Sequence, residues 1–333
     1  SMSMMTTKEN QATNPPDQNE INVSSLPTPI CVKTLTNLLS GYPDSSFVYE
    51  LRNIFRQGAR IGFHGRRTHR FSKNLPTASS NPTIASSNLA NEVSLGRMAG
   101  PFDSPPFQNF QISPIGLVPK KNSDKFRTIF HLSYPKSGST SINSGISKED
   151  FSLQYVTIDD AIEGIKRFGP GSFLAKTDIE SAFRLIPVHP DDYELLGMKW
   201  EGKYCYDKVL PFGLRSAPAI FNQLSDALEW ILLNKCHISF VCHILDDFLL
   251  IEPPTNFTPS NSACQQSVNS MLSIFKSIRI PVTPGKTQGP SQILEFMGSL
   301  LDTVKMKASL PPEKVEKLRL IFENFQQKRS CTL

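Results

Sequence analysis

Apolar residues recur along this chain with two different spacings, and the switches between them outline its elements. From 217 to 233, Ile220, Phe221, Leu224, Ala227, Leu228 and Ile231 fall on one helical face, with Pro218 in the first turn where its missing N–H costs nothing. A helix is also expected from Thr157, a candidate N-cap, with Asp159 and Asp160 in its first turn, Ile162, Ile165 and Phe168 on one side, and Gly169 as its stop. Val268, Met271, Leu272, Phe275 and Ile278 mark another. Val315, Leu318, Phe322 and Phe325 mark a last one, opening at Pro311-Pro312. Strands are expected at Leu117-Val118, at Thr128-Ile129-Phe130, at Phe173-Leu174-Ala175 running to Asp178, and as one late strand over 293–301. Residues 195–200 and 204–210 flank Glu201-Gly202 as a hairpin. In His243-Ile244-Leu245-Asp246-Asp247-Phe248-Leu249-Leu250-Ile251, apolar β-formers run up to two aspartates and resume at once, the pattern of two strands joined by a turn.

From 173 to 301 the order is strand, insert, helix, two strands, helix, strand. That is the split β-α-β arrangement of a ferredoxin-like antiparallel sheet with helices on one face, an α+β fold. Upstream, residues 1–33 are polar and proline-punctuated and read as a disordered leader, with order beginning near Leu35. Residues 34–112 read as an N-terminal extension, 76–91 within it as loop and short helix, and 101–119 as an extended surface crossing.

Composition narrows the class. With 333 residues, 39% hydrophobic and 20% charged, the chain can bury proper cores. It has no apolar run of about 18 residues and its polar start lacks a signal-peptide core, so no membrane partner and an intracellular setting are expected. Six cysteines without a CxxC pair indicate neither a disulfide framework nor a zinc ribbon. Cys236-His237 and Cys242-His243 read as core and strand residues, because strand neighbours point to opposite faces. The net charge of +5 gathers partly at Arg52, Arg56, Arg60, Arg66, Arg67, Arg70 and Lys73, with His64 and His69 among them. Interleaved Phe55, Phe63 and Phe71 make this either a solvated face or a nucleic-acid surface.

The chemistry rests on carboxylates. An acidic tip between two apolar strands suggests a divalent metal, although Asp is also a favoured turn residue. Asp178, at the end of a buried strand, can meet such a tip on a neighbouring strand, or serve as a helix cap. Asp178 with Asp246 and Asp247 would hold two metal ions at an in-line phosphoryl displacement. Lys120 and Arg127, on either side of a short basic connection, are candidate triphosphate ligands.

These residues also carry a resemblance. Lys120 with Lys125-Phe126-Arg127, Lys176-Thr177-Asp178-Ile179-Glu180-Ser181-Ala182-Phe183, Leu210-Pro211-Phe212-Gly213-Leu214, Leu245-Asp246-Asp247, Gly285-Lys286-Thr287 and Phe296-Met297-Gly298 resemble, in order, the successive motifs of reverse transcriptases. Gly96-Arg97-Met98-Ala99-Gly100-Pro101-Phe102 and the run from Ser113 to Lys121 resemble retrotransposons of the tyrosine-recombinase (DIRS and Ngaro) group. The resemblance implies a right-hand polymerase, with the N-terminal extension and fingers over 34–112, fingers and palm over 113–302 and the start of a truncated thumb over 303–333. It implies RNA-directed DNA polymerase activity with Mg²⁺, or Mn²⁺, on a primed RNA or DNA template with dNTPs. Ribonuclease H and recombinase parts of the parent element would be further partners. By matching position, Asp178, Asp246 and Asp247 would be the metal ligands and Lys120 and Arg127 would grip the triphosphate. Phe183 would lie under the sugar, Phe212 and Gly213 would line the pocket, Lys286 would protonate pyrophosphate, and Met297 and Gly298 would hold the primer end. Ile244, where Tyr is common, and His131, where an acid or amide is common, depart from the pattern. A non-catalytic nucleic-acid-binding or assembly protein on the same fold is the alternative. The last helix, with few partners for its apolar face, is expected to fray, to pack on the palm or to mediate self-association.

Overall fold

The computed structural model describes residues 26–121 and 123–327, so the polar start through residue 25 and the segment after 327 lie outside it. Four helices come first: α1 (Val32–Leu38), α2 (Ser45–Gln57), α3 (Pro76–Ser79) and α4 (Pro82–Ser94). Strands β1 (Met98–Phe102), β2 (Ile115–Pro119) and β3 (Phe126–Phe130) lead to α5 (Ile158–Phe168), then β4 (Phe173–Asp178), β5 (Gly197–Trp200), β6 (Lys203–Asp207) and α6 (Ala217–Asn234). The hairpin β7 (Phe240–Ile244) and β8 (Asp247–Glu252), α7 (Ser262–Ile278), β9 (Gln288–Ser291), β10 (Ile293–Phe296), β11 (Ser299–Asp302), β12 (Lys307–Ser309) and α8 (Pro312–Gln327) complete the order.

The central sheet runs β7-β8-β4-β9, antiparallel throughout. This is the strand order of the expected split β-α-β arrangement. Both faces of the sheet are covered. Val241, Phe248, Leu250 and Ala175 pack with the buried residues of α6 and α7, such as Leu224, Leu228 and Phe275. On the other side Cys242, Leu249, Ile251 and Leu174 pack with Ala161 and Ile165 of α5 and with Leu294, Phe296 and Leu301. The two helices of that arrangement, α6 and α7, share one face as expected, and α5 with the β10–β11 hairpin covers the other. Double coverage also explains why Phe248-Leu249-Leu250-Ile251 is apolar without alternation.

Local signals set most of the boundaries. The N–H of Thr157 donates to the Asp160 carboxylate (2.7 Å), and α5 ends at Gly169 in the left-handed region (φ 85°). Other expectations need correction. The single strand over 293–301 is two strands, β10 and β11, turned at Met297 (φ 50°) and Gly298 (φ 74°). The sheet's edge is instead β9, a polar Gln-Gly-Pro-Ser segment that hydrophobic patterning cannot reveal. Residues 76–91, expected as loop and short helix, hold the short α3 and most of the 13-residue α4, with only residues 80 and 81 between them. Order begins before Leu35, since Thr28 Oγ1 donates to the Leu185 carbonyl (2.7 Å) and the Cys31 N–H to Ile278 O (2.9 Å).

The basic block is partly consumed by the fold. Arg60 and Arg67 both pair with buried Asp192, at 3.1 and 2.6 Å, and Arg70 donates to the Thr140 carbonyl. Val315, Leu318, Phe322 and Phe325 of α8 are exposed, and Lys314 Nζ ties this helix to Gly298 O (3.1 Å). No described helix is long and apolar enough to cross a membrane.

Candidate active site

Sheet register brings the aspartates together. Asp178, the last residue of β4, is the direct partner of Asp247, the first of β8, and the Ile179 N–H donates to Asp246 O (3.0 Å). The turn holding them is strained, because Leu245 sits in the left-handed region (φ 52°), which costs an ordinary side chain about 1–2 kcal/mol. Buried Ser225 of α6 holds it there by donating to the Leu245 carbonyl (2.8 Å). Asp178 is fixed from the other side, its Oδ2 accepting from Thr283 Oγ1 (2.9 Å) and lying 3.2 Å from Lys286 Nζ.

The three carboxylates repel one another. Loss of surrounding water, then hydrogen bonding to and charge repulsion from Asp178, push Asp246 up to about 7. Desolvation and the charge of Asp178 raise Asp247 to about 6, against the opposing pull of Lys176 and Lys286. An all-oxygen donor set that resists its own ionisation suits a hard divalent cation, which would relieve the repulsion.

A tighter group of metal-capable side chains, all within 4.8 Å of one another, is Asp226, Glu229 and His243. Sequence reading did not anticipate it, having taken His243 for a strand residue. Ion pairing accounts for it: His243 Nε2 lies 3.2 Å from Asp226 Oδ1, and Nδ1 lies 3.0 Å from Glu229 Oε2, off the line of a hydrogen bond. Burial alone would lower the His243 pKa, but close contact with and attraction to the Asp226 and Glu229 carboxylates raise it to about 9, so the ring is cationic at neutral pH.

A cavity of about 770 Å³ opens over the aspartates. It brings together Lys120, Arg127, Asp178, Phe183, Phe212, Asp246, Asp247 and Lys286 from segments far apart in sequence. Phe183 stands in a 3-10 turn, Ala182–Leu185, entered through Ser181 in the left-handed region (φ 49°). Its ring centroid lies 5.5 Å from that of Phe212 and 5.8 Å from that of Phe221, while the exposed Arg127 guanidinium covers Phe212 at 4.9 Å. Gly213 stays outside the cavity lining yet shapes it. At φ 100°, a Cβ there would come within 2.4 Å of Phe130 O, so only glycine lets this loop approach β3. Asn143, not anticipated from sequence, fixes the same loop by donating to Gly213 O (2.8 Å) and accepting from the Arg215 N–H (2.8 Å). Met297 and Gly298 turn the separate β10–β11 hairpin and do not line the cavity.

The wall contains residues that sequence reasoning missed: Asn88 and Glu92 of α4, then Arg97, Arg184, Asp207 and Thr283. Only the spacing of Ala85, Leu89 and Val93 after Pro82 could have signalled the helix that carries the first two.

Comparisons with known proteins bear on this arrangement. The profile of the family described as "Reverse transcriptase (RNA-dependent DNA polymerase)" matches residues 118–301, just over half of the chain. "Polyprotein P3" of Commelina yellow mottle virus is 23% identical over 208 residues, 62% of this chain and 10% of that protein. "Retrovirus-related Pol polyprotein from transposon gypsy" of Drosophila melanogaster is 25% identical over 156 residues, 46% of this chain and 14% of that protein. The chain thus spans a small part of these relatives. Among solved structures, a foamy viral protease-reverse transcriptase in complex with dsDNA aligns with a TM-score of 0.57 at 17% identity, covering 90% of this chain and 58% of that one. A second foamy viral structure, "dRH in complex with ds DNA", gives 0.56 at 16% identity, covering 91% and 50%. The likeness is one of fold, a right-hand polymerase with an antiparallel palm sheet.

Proposed function

Because the chain belongs to the reverse transcriptase (RNA-dependent DNA polymerase) family, we propose that it extends a primer 3′-hydroxyl with dNTPs on an RNA or DNA template inside the cell. The observation that carries this reading is the convergence of Asp178, Asp246 and Asp247 in one cavity with Lys120 and Arg127. Two Mg²⁺ ions, or Mn²⁺, held by the three aspartates would stabilise charge on the attacking and leaving oxygens of the displacement. Lys120 and Arg127 meet the triphosphate, the first as a point charge and the second as a planar fork. Phe183 and Phe212 form an apolar floor under sugar and base, and Phe183 excludes a 2′-hydroxyl. Lys286 stands beside Asp178, where an ammonium can deliver a proton to the leaving pyrophosphate. Met297 and Gly298 bear on the primer end from the neighbouring hairpin.

The chain is read further as part of a retrotransposon of the tyrosine-recombinase group, supported by the motif from Gly96 to Phe102. A recombinase gene beside its coding region tests this, and an integrase gene there would count against it.

The activity is tested by Mg²⁺-dependent dNTP incorporation on poly(rA)/oligo(dT), with Asp246→Asn as control. Incorporation that the substitution lowers by about a thousandfold or more, with duplex affinity little changed, is the expected result. Incorporation by neither protein would favour the non-catalytic binding protein.

A further inference from the structure

Helix α4 precedes the family-matched region, yet it forms part of the wall of the cavity and touches both of its sides. Near its middle, Asn88 Nδ2 donates to Phe126 O (3.2 Å) and to Thr128 Oγ1 (3.1 Å), the two residues that flank Arg127 on β3. One turn later, on the same face of the helix, Glu92 turns to the opposite side. Its Oε2 accepts from Arg184 Nη2 (2.6 Å) and Nε (3.2 Å), and its Oε1 from Arg97 Nη1 (3.2 Å).

Arg184 is the residue after Phe183 and is buried. Besides Glu92 it donates to Asp207 Oδ1 (2.7 Å) and, at 3.4 Å, to the carbonyl of Leu210, two residues before Phe212. One guanidinium therefore ties the turn under Phe183 to the segment leading to Phe212, and both to α4. The turn needs such support, since Ser181 enters it through a left-handed conformation that persists only where its surroundings enforce it. A buried guanidinium is in turn tolerable only while its carboxylates stay in place.

We propose that α4 is a yoke between the phosphate side and the sugar side of the pocket, with Asn88 and Glu92 as positioning residues and Arg184 as the group through which Glu92 acts on Phe183. The proposal rests on the cavity being the nucleotide site. A shift of β3 when Arg127 meets a triphosphate is carried by the rigid helix to the floor beneath the sugar, so that the two halves of the pocket adjust together.

The test uses Asn88→Ala, Glu92→Gln and the double variant. Each single change is expected to raise KM for dNTP about five- to tenfold, while kcat and duplex affinity, read by fluorescence anisotropy, stay within about twofold. The double variant should be little worse than the poorer single one, because either change alone breaks the same link. Effects that multiply in the double variant, or a loss carried by kcat alone, would overturn the yoke. Amide exchange gives a reading independent of activity: Glu92→Gln should speed exchange in β3 as well as over 182–185, and Asn88→Ala over 182–185 as well as in β3. Changes confined to the nearer segment would show two separate contacts and no coupling. If Glu92→Gln does not fold, Asn88→Ala, which removes no charge, decides alone. Should the unaltered protein incorporate nothing, the polymerase reading fails while the exchange comparison still decides the yoke.

Discussion

Two clusters of charge share one cavity, and the chain treats them in opposite ways. In the first, Arg184 and Arg97 face Glu92 and Asp207, so two cations meet two carboxylates at 2.6–3.2 Å and the set is closed. In the second, Asp178, Asp246 and Asp247 crowd together with, among the described residues, only Lys286 within ion-pair distance, and two of their carboxyls are driven well above the usual range. Where the fold needs rigidity it supplies its own counter-charge. At the proposed catalytic aspartates it leaves most of that charge unmatched.

The largest effect that separates the clusters is the loss of turnover in Asp246→Asn. Its melting temperature should not fall, because the change relieves repulsion; a large drop would mean that the open cluster is structural as well. Arg184→Met should do the reverse of a catalytic substitution and cost about 3–5 kcal/mol of stability, since it strands buried Asp207 and leaves Glu92 to Arg97 alone. Denaturant melts measure this, and a cost under about 1 kcal/mol would rank the closed cluster with surface pairs. Phe183 sits on the seam between the two. Phe183→Val should raise the ratio of kcat/KM for ribonucleotides over deoxynucleotides about tenfold or more without unfolding the chain, and an unchanged ratio would remove Phe183 from sugar selection.

The smallest effect concerns the third group, His243 with Asp226 and Glu229. The histidine pKa is raised from 6.5 to about 9, so its ionic contribution is fully present below pH 6.5 and is lost as pH rises through about 9. The stability gap between the wild type and His243→Gln, on the order of 2 kcal/mol at pH 6.5, should therefore close by pH 10. A gap that does not change with pH would show that packing against Phe248, stacked at 5.2 Å, carries it instead.

What could be read from sequence was what local physics writes locally. The face from Ile220 to Ile231 gave α6 within a residue, and Thr157 and Gly169 marked the two ends of α5. The aspartate turn was legible because apolar strands on both sides left it no other role. Partnerships between distant segments were not. Glu92 and Arg184 lie 92 positions apart, and neither looks different from a surface charge until folding brings α4 against the turn at 182–185. The β10–β11 turn stayed hidden because methionine is an unusual residue at a positive φ, and β9 because its pairing rests on backbone alone. Gly289 of β9 lies so close to β4 that a Cβ would come within 2.3 Å of Leu174 O, a requirement visible only after folding.

The pairing of Asp178 with Asp247 also governs when the centre can exist. These two residues are about seventy positions apart, so the entropy of closing that loop must be met before their ladder returns any of it. A nascent chain that has emerged only as far as β4 has one carboxylate of the centre and no partner strand for it. The helix α6, rich in local contacts, can form and wait. The proposed centre is therefore assembled in one event, when β8 docks between β7 and β4 and brings Asp247 opposite Asp178.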